Sequence, residues 1–194
     1  GAYLNSGQET AAAREWSLDK APGNDIARLR AVRVRTEDGH VTGAVDIRCP
    51  VGIEVEYDVL EDGHALSPSL QFFNEEGVCV FVSGDYDLSY RGKSRSKGRY
   101  VSTAWVPGNF LSEGPLLVSA AVSTVRPLVV HAFERDAVAF RVFDSLDGDS
   151  ARGDWAGPMP GVVRPLLQWG TEFDPEMQTA PQASDISTNR VIKE

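Results

Sequence analysis

The sequence predicts an all-β fold, an antiparallel sandwich of about eight or nine strands, and three observations predict it. Apolar and polar residues alternate at period two, most plainly in Val51-Gly-Ile53-Glu-Val55-Glu-Tyr57-Asp-Val59, the pattern of a half-buried strand. Turn-forming clusters, Asp-Gly, Asn-Glu-Glu-Gly, Pro-Gly-Asn and Glu-Gly-Pro, recur between the runs. No helical pattern of about ten residues intervenes, so the crossovers that a parallel sheet requires are missing. At 194 residues the chain fits one such domain.

Residues 1–25 read as a linker. Their one alanine-rich stretch, Gln8 to Trp16, has room for about two helical turns but no extended apolar face. Ile26 to Thr36 breaks phase, with Leu29 and Ala31 on one face and Val32 and Val34 on the other, as a β-bulge near a sheet edge produces. Strand runs follow at Ala44 to Arg48, Val51 to Val59, Ser69 to Asn74, Val78 to Ser83, Arg99 to Val106, Leu116 to Ser123, Leu128 to Phe133 and Val138 to Phe143. The sandwich domain then spans residues 26–169, and residues 170–194 read as a polar tail, mobile or strand-exchanged with a second copy.

A formal net charge of −9 repels nucleic acid and anionic lipid alike, so neither is the expected partner. Two cysteines, Cys49 and Cys79, make no disulfide framework, and the apolar runs fall short of the ~20 residues of a membrane span.

The catalytic signatures are weak. Gly92-Lys93-Ser94 supplies only the second half of a phosphate-binding loop, and Asp87 stands where its first glycine belongs. Glu54, Glu56 and Asp58 share the polar face of one strand, a wet surface more simply than an acid/base pair. Asp144, Asp147, Asp149 and Asp154 crowd one loop without the spacing of a dedicated calcium loop, which leaves at most an adventitious ion. His40, His64 and His131 are scattered and make no zinc spacing with the cysteines, so no metal is expected; no nucleophile elbow accompanies any serine.

Two features stand out. Arg91-Gly-Lys93-Ser-Arg95-Ser-Lys97-Gly-Arg99 concentrates five cations in an acidic chain, flanked by Tyr86, Tyr90 and Tyr100. It reads as a clamp for an anionic group or as a solvated hairpin whose charges protect a sheet edge. The second is a strip poor in charge. With Val106 inward, Tyr100, Ser102 and Ala104 face the core while Val101, Thr103 and Trp105 face out; on the next run Leu117, Ser119 and Ala121 face out. Such a strip suits a sugar ring, a subunit interface or plain burial.

The strings Ile26 to Val34, Ile53 to Tyr57, Gly77 to Phe81, Tyr100 with Trp105-Val-Pro-Gly-Asn-Phe-Leu111 and Gly114, Val138 to Val142, and Gly161-Val-Val-Arg-Pro165 with Trp169 follow one another in an order and spacing that resembles the C-terminal carbohydrate-binding domain of Wzt-type ATPases. These are the nucleotide-hydrolysing subunits of ABC transporters that export O-antigen polysaccharide. The resemblance covers about residues 24–169, and its specific parts are the Pro-Gly-Asn corner and the Gly-Val-Val-Arg-Pro string.

It implies an immunoglobulin-like sandwich that dimerises and reads the modified non-reducing end of a finished glycan without catalysis. The expected setting is the cytoplasmic face of the bacterial inner membrane, beside the exporter's transmembrane subunit. ATP would bind only in an upstream ATPase domain, to which residues 1–25 are the tether, and no cofactor is expected here. No family motif fixes the sugar-contacting residues. On the residues alone, Trp105 is the stacking platform, Thr103 and Ser119 its hydroxyl partners, and Tyr90, Arg91, Lys93 and Arg95 the clamp for an acidic or phosphorylated cap. The alternative is a dimerisation or docking module of the ATPase that touches no glycan; a sandwich glycan hydrolase would need two opposed acids that the sequence does not supply.

Overall fold

The computed structural model describes residues 11–173. Nine strands, and among the described residues no helix, make two packed sheets, an immunoglobulin-like β-sandwich. One sheet has the order β1 (Ala13–Glu15), β2 (Ala27–Arg35), β4 (Val51–Val59), β7 (Gly98–Val106). The other has the order β3 (Ala44–Asp46), β9 (Leu128–Phe143), β8 (Gly114–Val125), β5 (Leu66–Asn74), β6 (Cys79–Gly84). All neighbours run antiparallel except β3 and β9. The expected C-terminal tail lies outside the described residues from position 174 on.

The alternation seen in the sequence builds the core. Val51, Ile53, Val55, Tyr57 and Val59 of β4 point inward, against Leu66, Leu70 and Phe72 of β5 and Val118, Ala120 and Val122 of β8. The phase break in β2 is a bulge between Leu29 and Ala31. It rotates the strand so that Leu29, Val32 and Val34 all reach the core, which leaves only Ala31 outside that cluster.

Three segments differ from the sequence expectation. Within the stretch read as linker with room for helix, Ala13–Glu15 extends and pairs with β2 as β1. The strand expected from Ser69 starts at Leu66, so Pro68 lies within β5 rather than in the turn before it. The two runs expected at Leu128 and Val138 are one strand, β9, carried past its charged centre by a bulge at which Asp136 takes φ 48° and its N–H donates to Ser119 Oγ at 2.9 Å.

The Pro-Gly-Asn corner and the Gly-Val-Val-Arg-Pro string meet. At the corner after β7, a side chain in place of Gly108 would put its Cβ 2.0 Å from the Arg48 carbonyl oxygen. Asn109 (φ 55°) donates its N–H to the Ile47 carbonyl. The Phe110 carbonyl then accepts from Arg164 N–H at 2.8 Å, and Leu111 bridges Val163. The Gly-Val-Val-Arg-Pro string is thus a backbone lock on the Pro-Gly-Asn corner.

The acids of β4 are an ion-pair ladder rather than a wet repelling row. Arg33 reaches Glu54 at 2.8 Å and Glu56 at 2.9 Å, while Arg99 reaches Asp58 at 2.8 Å. Burial pushes the Glu54 carboxyl up, but Arg35 and Arg33 outweigh it and hold its pKa below the ordinary value. Three of the crowded loop acids are likewise engaged: Asp149 lies 2.7 Å from Arg48, Asp147 accepts from Ser145 Oγ at 2.7 Å and Asp144 from Ser150 Oγ at 2.6 Å. Among the described residues no group of three or more His, Cys, Asp or Glu is placed to hold a metal ion.

At His131, near the start of β9, the surroundings favour the neutral imidazole. Asn24 spends its carbonyl oxygen on the N–H groups of Ile26 and Ala27, so its amide turns N–H toward His131 Nδ1 at 3.2 Å. A proton on Nδ1 would oppose that donor, and burial, with His64 nearby, lowers the imidazole pKa below 6.5. The unfolded chain therefore takes up a proton near pH 6.5 that the folded chain takes up only at lower pH, so stability present above that pH is lost as pH falls below it. Urea unfolding between pH 7.5 and 5 is expected to show this fall, and His131→Gln to flatten it.

Candidate functional site

β6 and β7 are the last strands of opposite sheets, and they stand at the same side of the sandwich without pairing. The interior is left open there as a cleft of about 640 Å³. Its floor comes from β4 and β5, including Ile53, Val55 and Leu70, and its walls from Ser83 to Asp87 on one side and Tyr100 to Trp105 on the other.

One end is closed by the cationic loop, but not as a free clamp. Arg95 is 3% exposed. Its Nε donates to the Leu66 carbonyl at 2.9 Å, its Nη2 to Asp85 at 2.9 Å, and its Nη1 to the Tyr57 hydroxyl. The guanidinium carbon lies 4.8 Å from the Tyr90 ring, 5.1 Å from Tyr100 and 5.6 Å from Tyr57, a cation enclosed by three aromatic faces. The Tyr57 phenol, pushed up to about 12 chiefly by burial, stays protonated. Backbone bonds pin the rest of the loop to the β4–β5 turn: Arg95 N–H to the His64 carbonyl, Lys97 N–H to Asp62.

The sequence-predicted residues fall into three groups. Trp105, Thr103 and Tyr90 line the cleft together. Arg95 lines it too, with its donors and charge already engaged. Arg91 sits over the Tyr86 ring at 5.5 Å and Lys93 is exposed on the same loop, both outside the lining. Ser119 stands apart. The single outer strip expected from Trp105 to Ser119 does not form, because β7 and β8 belong to different sheets, and Ser119 is buried with its oxygen accepting from the bulge at Asp136.

Trp105 is about half exposed, and its indole rests over Gly52, the residue opposite it on β4. A Cβ at position 52 would come within 2.9 Å of two ring carbons. The missing side chain is therefore the seat of the ring. Hydroxyls of Ser69, Ser83, Ser102 and Thr103 surround the cleft, so it combines an aromatic platform with hydrogen-bonding groups. Sequence reasoning did not single out Asp85, Ser69 or Ser83, and it marked Tyr86 only as a flank of the cationic run.

No family model matches the sequence, and no curated protein does. Solved structures do. The crystal structure of the C-terminal domain of Wzt superposes with a TM-score of 0.60 at 16% identity, covering 78% of this chain and 86% of that one. The fold is that of the Wzt C-terminal domain. A second match, the CARDB domain of a Pyrococcus furiosus protein in complex with di-metal ions, covers 68% of this chain and 99% of that one at 13% identity, but at a TM-score of 0.36 it bears on neither fold nor site.

Arg95→Met is expected to destabilise the domain by on the order of 3 kcal/mol in urea unfolding, because it strands Asp85 and the Tyr57 hydroxyl in a closed site. Removing both charges in Arg95→Met with Asp85→Asn should cost less than the single change. Gly52→Ala should leave stability within about 0.5 kcal/mol, since alanine relieves the backbone freedom of glycine, while shifting Trp105 fluorescence as the indole lifts.

Proposed function

We propose that the chain is a non-catalytic carbohydrate-binding module that takes the modified non-reducing end of an O-antigen polysaccharide for an ABC exporter. The observation that carries this reading is the cleft between β6 and β7. It is open, bounded by Trp105, Tyr86, Tyr90 and Tyr100, and edged by hydroxyls. A sugar offers C–H faces to the rings and hydroxyls to the serines and threonine, and an open-ended cleft admits the terminal residue of a chain without requiring a bond to break. The sharing of a fold with the Wzt domain is what makes an exporter's glycan the substrate class to test first.

Among the described residues, no pair of free, opposed carboxylates faces this cleft. Asp85 is bound by Arg95, and Asp87 accepts from Ser89 N–H, which holds its carboxyl below the ordinary pKa. The groups therefore suit recognition rather than acid/base hydrolysis. In this reading the chain works on the cytoplasmic side, tethered to an ATPase domain and through it to the transmembrane subunit.

Homodimerisation is part of the same proposal. Val125, Leu128, Val129 and Val130 at the β8–β9 turn are all more than 40% exposed, an apolar patch that suits a second copy. It also favours the second reading, a dimerisation module of the ATPase without glycan contact.

Calorimetric titration of the isolated chain with matched capped and uncapped polysaccharide separates the two. Glycan-end recognition requires binding of the capped polymer alone. Trp105→Ala is then expected to weaken binding about tenfold or more, with molar mass by light scattering unchanged. Equal or absent binding of both polymers, with a dimer intact, would favour the docking module.

A further inference from the structure

The loop after β9 carries a tryptophan that is built into place. Trp155 is 59% exposed, and one face of its indole lies on Gly157, where a Cβ would come within 2.7 and 2.8 Å of two ring carbons. Its Nε1–H donates to the Pro158 carbonyl at 3.1 Å, which fixes the rotation of the ring. With one face seated and most of the side chain in solvent, the opposite face of the indole is the one presented outward.

A largely buried arginine holds this seat. Arg152 Nη1 donates to the Trp155 carbonyl at 3.1 Å and to the Gly157 carbonyl at 2.8 Å, and its Nη2 pairs with Glu113. Glu113 also pairs with Arg164, whose backbone N–H donates to the Phe110 carbonyl. Phe110 and Pro107 in turn line a small apolar cavity that shares Trp105 with the main cleft. A continuous run of contacts therefore joins the groove at Trp105 to the indole of Trp155, around the corner after β7. The two tryptophans differ in setting. The cleft has walls on both sides and suits the end of a chain, whereas Trp155 lines neither cavity, so a ring in the middle of a chain can lie on it with both its neighbours unobstructed.

Resting on the reading of the cleft as a glycan-end site, we propose that Trp155 is a second stacking platform, which takes an interior sugar ring of the polymer whose end occupies the cleft. The C–H face of that ring stacks on the exposed indole, and the exposed carboxylate of Asp154 accepts its hydroxyls. A single stack without walls leaves a dissociation constant in roughly the millimolar range, too weak for calorimetry to register the uncapped polymer. Once the end is anchored, interior rings are delivered at an effective concentration of about that order, and the second contact adds to the first.

The probes are the capped polysaccharide, the uncapped polysaccharide, and the terminal disaccharide with its cap retained, titrated into the 15N-labelled chain, in which each tryptophan indole N–H gives its own signal. The capped polysaccharide is expected to bind about tenfold more tightly than the capped disaccharide and to shift the indoles of both Trp105 and Trp155. The disaccharide should shift Trp105 alone, and the uncapped polysaccharide at high concentration Trp155 alone. Trp155→Ala should bring the capped polysaccharide down to the affinity of the disaccharide and leave the disaccharide unchanged, while Trp155→Phe, which keeps a ring over Gly157, should retain most of the difference. Equal binding of capped polymer and capped disaccharide, or a polymer that moves Trp105 and leaves Trp155 still, overturns this proposal and leaves end recognition standing. So does an equal loss for both probes in Trp155→Ala, which would make the ring a prop of the fold. Failure of all three probes to bind overturns both readings. Loss of dimer mass in Trp155→Ala with glycan affinities unchanged would assign the indole to a second copy and overturn the platform as well.

Discussion

A guanidinium taken out of water costs several kcal/mol unless its charge and its donors are both met. At the open side of this sandwich Arg95 meets that condition only when the chain from Asp85 onward folds back over the β4–β5 turn. Asp85 then supplies the charge, Leu66 and Tyr57 the acceptors, and Tyr57, Tyr90 and Tyr100 the enclosing faces. Each of those partners comes from a different stretch: Tyr57 from β4, Leu66 from β5, Asp85 from the end of β6, Tyr100 from β7. One buried charge therefore fixes the spacing of the two sheets where they would otherwise splay, and the cleft inherits its width from that spacing.

The alternation of β4, β5 and β8 was legible because burial on one face enforces a period of two, and the bulge in β2 was legible because Leu29 and Val32 cannot both reach the core without one. The continuity of β9 was not. Glu134-Arg-Asp136 reads as a turn, and only a hydroxyl on the neighbouring strand, Ser119, stabilises the kink that keeps it extended. The same fact removed Ser119 from the candidate site. A serine facing outward on a predicted strand carries no mark to distinguish a ligand contact from support for a partner strand 17 residues away.

Sheet assignment was the second blind spot. Trp105 and its outward neighbours on β7 were read correctly as a face, since inward and outward follow from alternation within one strand. Which strand lies beside it is a non-local matter: β7 pairs with β4 and not with β8, although β8 follows it in the chain. The cationic run raised the same difficulty in electrostatic form. Five like charges in nine residues look like one surface, yet Arg95 turns inward to Asp85, Arg99 joins the β4 acids, and Arg91 lies over a tyrosine.

Strands that end a sheet expose unpaired N–H and C=O groups, and proteins that only need to fold place charges or prolines there to prevent pairing with another chain. β6, Cys-Val-Phe-Val-Ser-Gly, has neither, and β7 carries Arg99 alone before an uncharged run to Val106. Val82, Val101 and Trp105 stand 60%, 58% and 49% exposed on these two edges. Leaving apolar side chains and open ladders together is a liability that selection for solubility would remove, and here it coincides with a cleft whose Trp105 ring is seated over Gly52. Rigid aromatic walls raise affinity because little side-chain freedom remains to be lost on contact. The uncharged edges and the seated indole are thus one feature: an apolar margin left uncovered beside the cleft.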